Sequence, residues 1–326
     1  MRNYPIALLA SAALSALTMA APARCQTALT LNGMLDLGMM RDYDGSAQVG
    51  TVQRSNLALS GYEELGGGVK AIFRLSTRAE LDTGKGEGAP DKPFWHDEST
   101  LGIKAAWGTL RVGRAMTAMW ANDYKFDPWS NYNRIASPAW QHWHYLTPSD
   151  PFANNGKAEY GRLNNGVFFD SASYGGVTLR LSTTPERDAR AICRPISAVV
   201  EYAQGSWAGM AAYERNSLGD ENNYLAGKYV LGDAALMAAY DDSRALASQQ
   251  RSRTMTLSAT YRLGAATVLK AGYSRQQLNA DSNPFVGLGA DYLLSRRSTL
   301  YLSLGRKRQG AQGAMNSYGL GLSHVF

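Results

Sequence analysis

The 326-residue chain has no apolar run that approaches the roughly 20 residues that a membrane-spanning helix needs. It has only two cysteines, Cys25 and Cys193, so at most one intramolecular disulfide can form. Its 33 basic residues are dispersed along the chain, whereas a nucleic-acid-binding surface would cluster them. The chain therefore does not fit a helical membrane protein, a disulfide-rich domain or a nucleic-acid-binding protein, and no nucleic-acid partner is expected.

The first 25 residues have the features of a cleaved secretory signal peptide. Arg2 precedes an apolar stretch at residues 6–19, and small residues follow it. Cleavage could follow Ala23 or Cys25, and we favour Cys25. A lipid anchor on Cys25 is a competing hypothesis, disfavoured because the preceding residue is Arg24 rather than a small one. The predicted mature chain is one domain of residues 26–326, and loss of two arginines lowers its net charge from +6 to +4.

Most of the mature chain alternates apolar and polar residues in short runs. In the run that ends at Lys307, for example, Leu300, Leu302 and Leu304 alternate with polar side chains. A period of two indicates β-strands with one apolar face. About sixteen strands are predicted, at residues 29–40, 52–62, 69–81, 101–107, 109–114, 158–174, 177–184, 196–203, 207–215, 223–231, 234–241, 254–263, 267–278, 284–294, 299–307 and 315–326.

Four features predict that these strands close into a barrel in a membrane. One face of each strand is almost free of charge, and strands of this length can span the hydrocarbon layer when tilted. Backbone groups in lipid need partners, so such a sheet must close. Short turns alternate with longer polar loops, and aromatic residues such as Trp107, Trp207 and Tyr292 lie near strand ends, as in the aromatic girdles of outer-membrane barrels. The predicted fold is an all-β, transmembrane, antiparallel up-and-down barrel.

Residues 115–157 are different. This aperiodic segment is rich in aromatic residues and proline and has no strand period. A connection of that length is uncommon in a compact domain and is usually functional. We expect it to fold inside the barrel and narrow the passage.

Several motifs resemble those of the general trimeric porins of Gram-negative outer membranes. They include residues 30–38 (TLNGMLDLG), 59–73 (LSGYEELGGGVKAIF), 108–114 (GTLRVGR), 127–129 (DPW), 162–165 (RLNN) and a terminal aromatic residue, Phe326. The resemblance implies sixteen strands, a homotrimer, and a third external loop that folds inward as a constriction. It also implies an outer-membrane location, contact with outer-membrane lipid and lipopolysaccharide, and insertion by the barrel assembly machinery, with Phe326 as the assembly signal.

In this family, basic wall residues face acidic residues of the third loop and sort solutes by charge. Arg162 occupies a position that is basic in the family. A second such position is occupied here by Asn56, with Arg54 two residues earlier, and a third lies near Asp97. The predicted constriction residues are Arg54, Arg74, Arg78, Arg111 and Arg162, facing Asp123 and Asp127. Lys104 has the same inward parity. Arg114 has the opposite parity from Arg111 and is predicted to lie at a subunit contact.

An enzyme is not indicated, because no nucleophile motif, paired-carboxylate pocket or phosphate-binding loop is present. His142 and His144 could bind a metal or serve a serine, but a stacking or solvated role is favoured; no cofactor or metal is predicted. Residues 85–88 (KGEG) are interpreted as a solvated loop.

Three functional hypotheses remain. The leading one is a general diffusion pore for small hydrophilic solutes and ions, for which the surplus of basic residues suggests anion preference. The second is a substrate-selective channel for a sugar, an aromatic compound or an anion, favoured if Trp120, Trp129, Trp140 and Trp143 line a track. The third is a structural or adhesion barrel that does not conduct.

Overall fold

The computed structural model describes residues 27–87, 93–146, 161–186, 189–310 and 313–326. The predicted signal peptide and residues 147–157 of the aperiodic segment lie outside the described residues. The strands are β1 (Thr27–Arg41), β2 (Ala47–Gly50), β3 (Ser55–Gly66), β4 (Val69–Glu80), β5 (Lys85–Gly86), β6 (Glu98–Ala105), β7 (Gly108–Met116), β8 (Arg162–Ser171), β9 (Val177–Thr183), β10 (Ile196–Gln204), β11 (Trp207–Arg215), β12 (Glu221–Leu231), β13 (Ala234–Arg244), β14 (Arg251–Leu263), β15 (Thr267–Leu278), β16 (Asp281–Leu293), β17 (Ser298–Arg308) and β18 (Ala314–Val325). A 3-10 turn (Asp123–Phe126) and a short helix α1 (Pro138–His142) lie between β7 and β8.

The long strands form one closed antiparallel ring. Apart from the short β2 and β5, sixteen strands of the described residues make up the wall, each paired with its neighbours along the chain. The first half of β1 pairs with β3, and its second half pairs with β18, which closes the barrel. Backbone hydrogen bonds of 3.1 and 3.2 Å join Phe326 to Gly33 at this seam. The predicted barrel, with its last strand beside its first, is confirmed.

The two faces of the wall differ in the way that the alternation predicts. In β14, Met255 and Leu257 are 66% and 64% exposed, whereas Thr254 and Thr256, which alternate with them, are buried. The same pattern continues in β17 and β18, whose leucines all point outward. Trp107, Trp207 and other strand-end aromatics are also exposed. An apolar exterior with aromatic ends is what a lipid environment requires. Neither helical segment of the described chain has the length and apolar character to cross a membrane.

Strand ends differ from the prediction where side chains redirect the backbone. β3 begins at Ser55 rather than at residue 52, because Asp36 of β1 accepts hydrogen bonds from the backbone N–H groups of Val52 (2.9 Å) and Gln53 (2.7 Å). The Tyr301 hydroxyl donates to the other oxygen of this buried carboxylate at 2.7 Å. A three-residue extension of β3 would leave that carboxylate without its backbone donors. β6 ends before Trp107, which belongs to the turn.

Short turns lie at one rim and longer connections at the other, as predicted. The connection between β15 and β16 is an exception at the long-loop rim, since it consists of Asn279 and Ala280 alone. Asn279 adopts a φ of 52° there, a conformation that asparagine tolerates better than most residues. The long-loop rim of the barrel is therefore shorter at the connection between β15 and β16.

Candidate functional site

The described part of the aperiodic segment is attached to one side of the barrel. Its backbone and side chains form hydrogen bonds of 2.8 to 3.0 Å with small hydroxyl side chains on the polar faces of β9, β10, β14, β15 and β17. The contacts join Ala118 to Ser182, Met119 to Ser197, Asn133 to Ser303, His142 to Ser274 and Trp143 to Thr256. The segment thus lies against the half of the wall formed by β9–β17.

The segment holds its shape through its own capping groups. Asp127 accepts hydrogen bonds from the backbone N–H groups of Trp129 (2.9 Å) and Asn131 (3.0 Å) and from the Ser137 hydroxyl (3.0 Å). Ser137 in turn caps α1 by accepting from the backbone N–H of Trp140 at 3.0 Å. Burial raises the pKa of Asp127 to about 6. Asp127, predicted to face the basic wall, is therefore a buried group that shapes the segment.

Two glycines of the wall allow the segment to approach closely. A Cβ at Gly272 of β15 would lie 2.6 Å from the ring of Pro138, and one at Gly287 of β16 would collide with the backbone carbonyl of Ala136. Only a residue without a side chain fits at these points. Inward-facing glycines in β15 and β16 were thus a signal of the docking surface that our sequence interpretation missed.

A buried histidine between two carboxylates fixes the end of the segment. His144 Nε2 lies 3.0 Å from Asp123 Oδ2, and its Nδ1 lies 2.6 Å from Asp241 Oδ2 of β13. Burial by itself would lower the pKa of His144, but the two carboxylates outweigh it and raise that pKa to about 10. The imidazole is therefore a cation at neutral pH. Its ring contacts Trp120 at a tilt of 57°, with centroids 4.8 Å apart, and the His144 side chain is fully buried. The solvated alternative is therefore wrong for His144, and its aromatic contact is tilted, not stacked.

On the opposite side of the segment lies a cavity of about 900 Å³. Its walls come from β1, β3, β4 and β6–β8 and from Trp120, Tyr124, Tyr132 and Trp140 of the segment. All five arginines predicted for the constriction, together with Asp123, line this cavity. The inward parity of the strands was sufficient to bring these arginines together. Lys104, at the turn end of β6, is exposed and does not belong to this lining.

Three acids that our sequence interpretation did not assign to the site lie beside these arginines. Asp97 Oδ1 is 2.8 Å from Arg78 Nε and also pairs with Arg162. Although burial opposes its ionisation, these two guanidinium groups hold the pKa of Asp97 below its usual range. Glu98, the first residue of β6, pairs with Arg111 at 2.6 Å and with Arg74 at 3.3 Å.

The third acid is Glu87, in the connection between β4 and β6. Its carboxylate lies 3.9 Å from both Arg54 and Arg78. The Glu87 side chain is only 13% exposed, so the interpretation of this stretch as a solvated loop is wrong for Glu87. The Arg54 guanidinium also lies over the ring of Trp140, 4.9 Å from its centroid.

Arg114 does not follow the parity assumed for it. Gly113 has a φ of 128° and the pairing of β7 with β8 shifts at this point, so the alternation is interrupted. The Arg114 guanidinium donates to the His96 carbonyl (2.6 Å) and to Asn164 Oδ1 (2.7 Å), and is largely buried within this chain. The argument for a subunit contact loses its premise, and the contact itself stays a prediction.

The four tryptophans proposed as a substrate track are divided between two environments. Trp120 and Trp140 line the cavity. Trp129 and Trp143 are buried against the wall, at 3% and 5% exposure. A continuous track of four indole rings is therefore not present.

Together, a closed apolar-faced barrel and a charged interior cavity define a transmembrane β-barrel of the channel-forming class. The chain belongs to the Gram-negative porin family, whose model matches residues 10–312. The Major outer membrane protein P.IB of Neisseria meningitidis serogroup B is 26% identical to it, over 96% of this chain and 99% of that protein.

Solved porin structures share the fold. The anion-selective porin from Comamonas acidovorans matches with a TM-score of 0.77 at 20% identity, covering 92% of this chain and 100% of that one. The trimer form of OmpT, an outer membrane protein of Vibrio cholerae, matches with a TM-score of 0.70 at 15% identity, covering 92% and 99%.

Proposed function

We propose that this protein is an outer-membrane porin that forms a water-filled channel for passive diffusion of small hydrophilic solutes and ions. The observation that carries the proposal is the charged cavity of about 900 Å³ between the aperiodic segment and the β1–β8 side of the wall. The segment narrows the passage from one side, so its distance from the arginine-bearing strands sets the size limit. A polar, hydrated passage admits small solutes without a dedicated binding site.

Two measurements test this proposal. Purified protein reconstituted into planar bilayers is expected to give steady single-channel currents, and liposomes that contain it are expected to swell at rates that fall smoothly with solute size. A swelling series in which one sugar or aromatic acid exceeds its size class would favour the substrate-selective alternative. Absence of conductance in correctly folded protein would overturn the channel proposal and favour a structural barrel.

The balance of charge in the cavity supports a modest preference for anions. Five arginines and four carboxyl groups border it, an excess of one formal positive charge. Fixed charges around a narrow passage attract or repel the ions that pass close to them. The fold neighbour named as an anion-selective porin is consistent with this preference. Simultaneous replacement of Arg54 and Arg162 by glutamine is expected to move the reversal potential in a salt gradient toward cation preference.

We also propose that the protein acts as a homotrimer, as the trimer form of OmpT does. Cross-linking and native mass spectrometry in mild detergent would test this assembly, and a purely monomeric species would overturn it. Phe326 at the seam of β1 and β18 is the proposed assembly signal. Deletion of Phe326 is expected to reduce membrane insertion in cells while refolding in detergent persists.

Contact with lipopolysaccharide is supported by arginines on the outer surface. Arg253, Arg275 and Arg306 are exposed at the long-loop ends of β14, β15 and β17, on the same faces as the outward apolar residues. Arginine recognises phosphate groups well. Lipid A binding, measured by native mass spectrometry, should weaken in the triple glutamine variant. The matched change of Arg296 and Arg297 at the opposite rim should leave it unchanged.

A further inference from the structure

We propose that the acids that tune ion preference in this pore come from the connection between β4 and β6 and from the first residue of β6, through Glu87, Asp97 and Glu98, and not from the aperiodic segment. Glu87 is the member of this set whose ion pairs with the cavity arginines are longest, at 3.9 Å. The inference rests on the proposed channel function, and it reverses the arrangement that the family resemblance implies, in which the third loop supplies the acids.

The acids of the aperiodic segment are occupied elsewhere. Asp123 is buried, with its side chain 1% exposed, and it contacts the imidazolium of His144, which it shares with Asp241. Asp127 is turned into the segment, where three hydrogen bonds hold its carboxylate. Asp127 does not border the cavity, and Asp123 borders it only as a buried group bound to the His144 imidazolium. The segment therefore contributes mainly aromatic surface to the passage.

The β4–β6 connection, in contrast, places its carboxylates among the arginines. Asp97 lies between Arg78 and Arg162, and Glu87 lies between Arg54 and Arg78. All five side chains border the same cavity. The alternating charges leave the three arginines with two acidic neighbours, so the preference for anions is smaller than the arginines alone would produce.

Asp97 and Glu87 differ in how tightly they are bound. Asp97 pairs closely with Arg162, which is only 2% exposed, so loss of Asp97 would take a carboxylate away from a buried cation. Two of the arginines near Glu87 have a closer carboxylate partner, since Arg78 lies 2.8 Å from Asp97 and Arg134 lies 2.6 Å from Glu80, whereas their distances to Glu87 are 3.9 and 3.8 Å. Removal of the Glu87 charge therefore changes the field in the cavity while Arg78 and Arg134 keep these closer partners.

The size of the effect follows from the charge that is removed. A unit charge about 4–5 Å from an ion in water-like surroundings changes its energy enough to alter its local concentration about four- to sixfold. Screening at moderate salt reduces this factor. We expect Glu87→Gln to raise the anion-to-cation permeability ratio about threefold, measured from reversal potentials in a potassium chloride gradient.

A matched set of variants isolates the role of Glu87. Asp82→Asn makes the same charge change in the same connection, but Asp82 is exposed and does not border the cavity. This variant should keep the wild-type ratio. Glu87→Asp retains the charge and should also keep it, whereas the double variant Arg54→Gln with Glu87→Gln should return the ratio toward the wild-type value.

The outcomes separate this inference from the channel proposal. Wild-type protein that does not conduct would overturn the channel itself. Conducting Glu87→Gln protein with the same ratio as Asp82→Asn would overturn the role of Glu87 alone. If Glu87→Gln does not fold, Glu87→Ala removes the same charge, and an unchanged ratio in that variant would equally overturn the role of Glu87.

Discussion

Replacement of His144 by glutamine is expected to release the end of the aperiodic segment from the wall. His144 is a buried cation held between Asp123 (3.0 Å) and Asp241 (2.6 Å). Glutamine can donate a hydrogen bond to one of these carboxylates but carries no charge, so two buried anions would face each other. Breaking a buried ion pair by removal of one partner costs about 3–5 kcal/mol. Because the barrel wall has its own hydrogen bonds, the cost should be felt mainly by the segment.

The assay is the open-channel current in planar bilayers together with hydrogen exchange of the backbone of residues 117–146. His144→Gln should increase current fluctuations and accelerate exchange in this stretch, while the strands remain protected. His142→Gln is the matched control. That ring is also buried and contacts Ser274 Oγ at 2.8 Å, but burial lowers its pKa to about 3, so it is neutral. The control should lose about one hydrogen bond, worth about 1 kcal/mol.

The pH dependence gives the same test without mutation. The folded-state pKa of His144, about 10, lies above the ordinary value of about 6.5. The stabilisation of the segment by His144 is therefore complete below about pH 6.5 and is lost as the pH rises through about 10. Current fluctuations of the wild type should increase over that upper range, and those of His144→Gln should not. If His144→Gln showed wild-type current fluctuations and wild-type hydrogen-exchange rates in residues 117–146, this account of the attachment would be refuted.

Three further predictions concern the docking surface, the cavity and the outer face. Gly287→Ala should lower the free energy of unfolding, measured by urea titration, by about 1–3 kcal/mol, because the new methyl group meets the backbone of the segment. Gly227 faces open space, so Gly227→Ala should leave the free energy of unfolding close to the wild-type value. Trp140→Ala should remove the ring on which Arg54 rests and raise single-channel conductance, and an unchanged conductance would place the narrowest point elsewhere. Leu302→Arg should destabilise the folded barrel in lipid vesicles by up to about 2–4 kcal/mol, since Leu302 faces outward in β17, and a neutral result would contradict its lipid exposure.

The wall was predictable because its information is local. Side chains two residues apart share a face of a strand, so Leu300, Leu302 and Leu304 could be assigned to the exterior without knowledge of any distant contact. The same period placed Arg74, Arg78 and Arg111 on the inner face. Closure of the ring also followed from chemistry alone, because an open sheet edge cannot exist in lipid.

The partners of those arginines were decided only by the tertiary structure. Glu87, Asp97, Asp123 and Asp127 all lie in connections that have no period, so their sequence positions say little about where their carboxylates point. The route of the aperiodic segment along β9–β17 buries two of these acids, and the route of the β4–β6 connection brings the other two to the arginines. Arg114 shows the same limit within a strand, since one left-handed glycine, Gly113, ends the alternation on which its assignment depended. Sequence periodicity determined the barrel and its arginines, and long-range packing of irregular backbone determined which acids they meet.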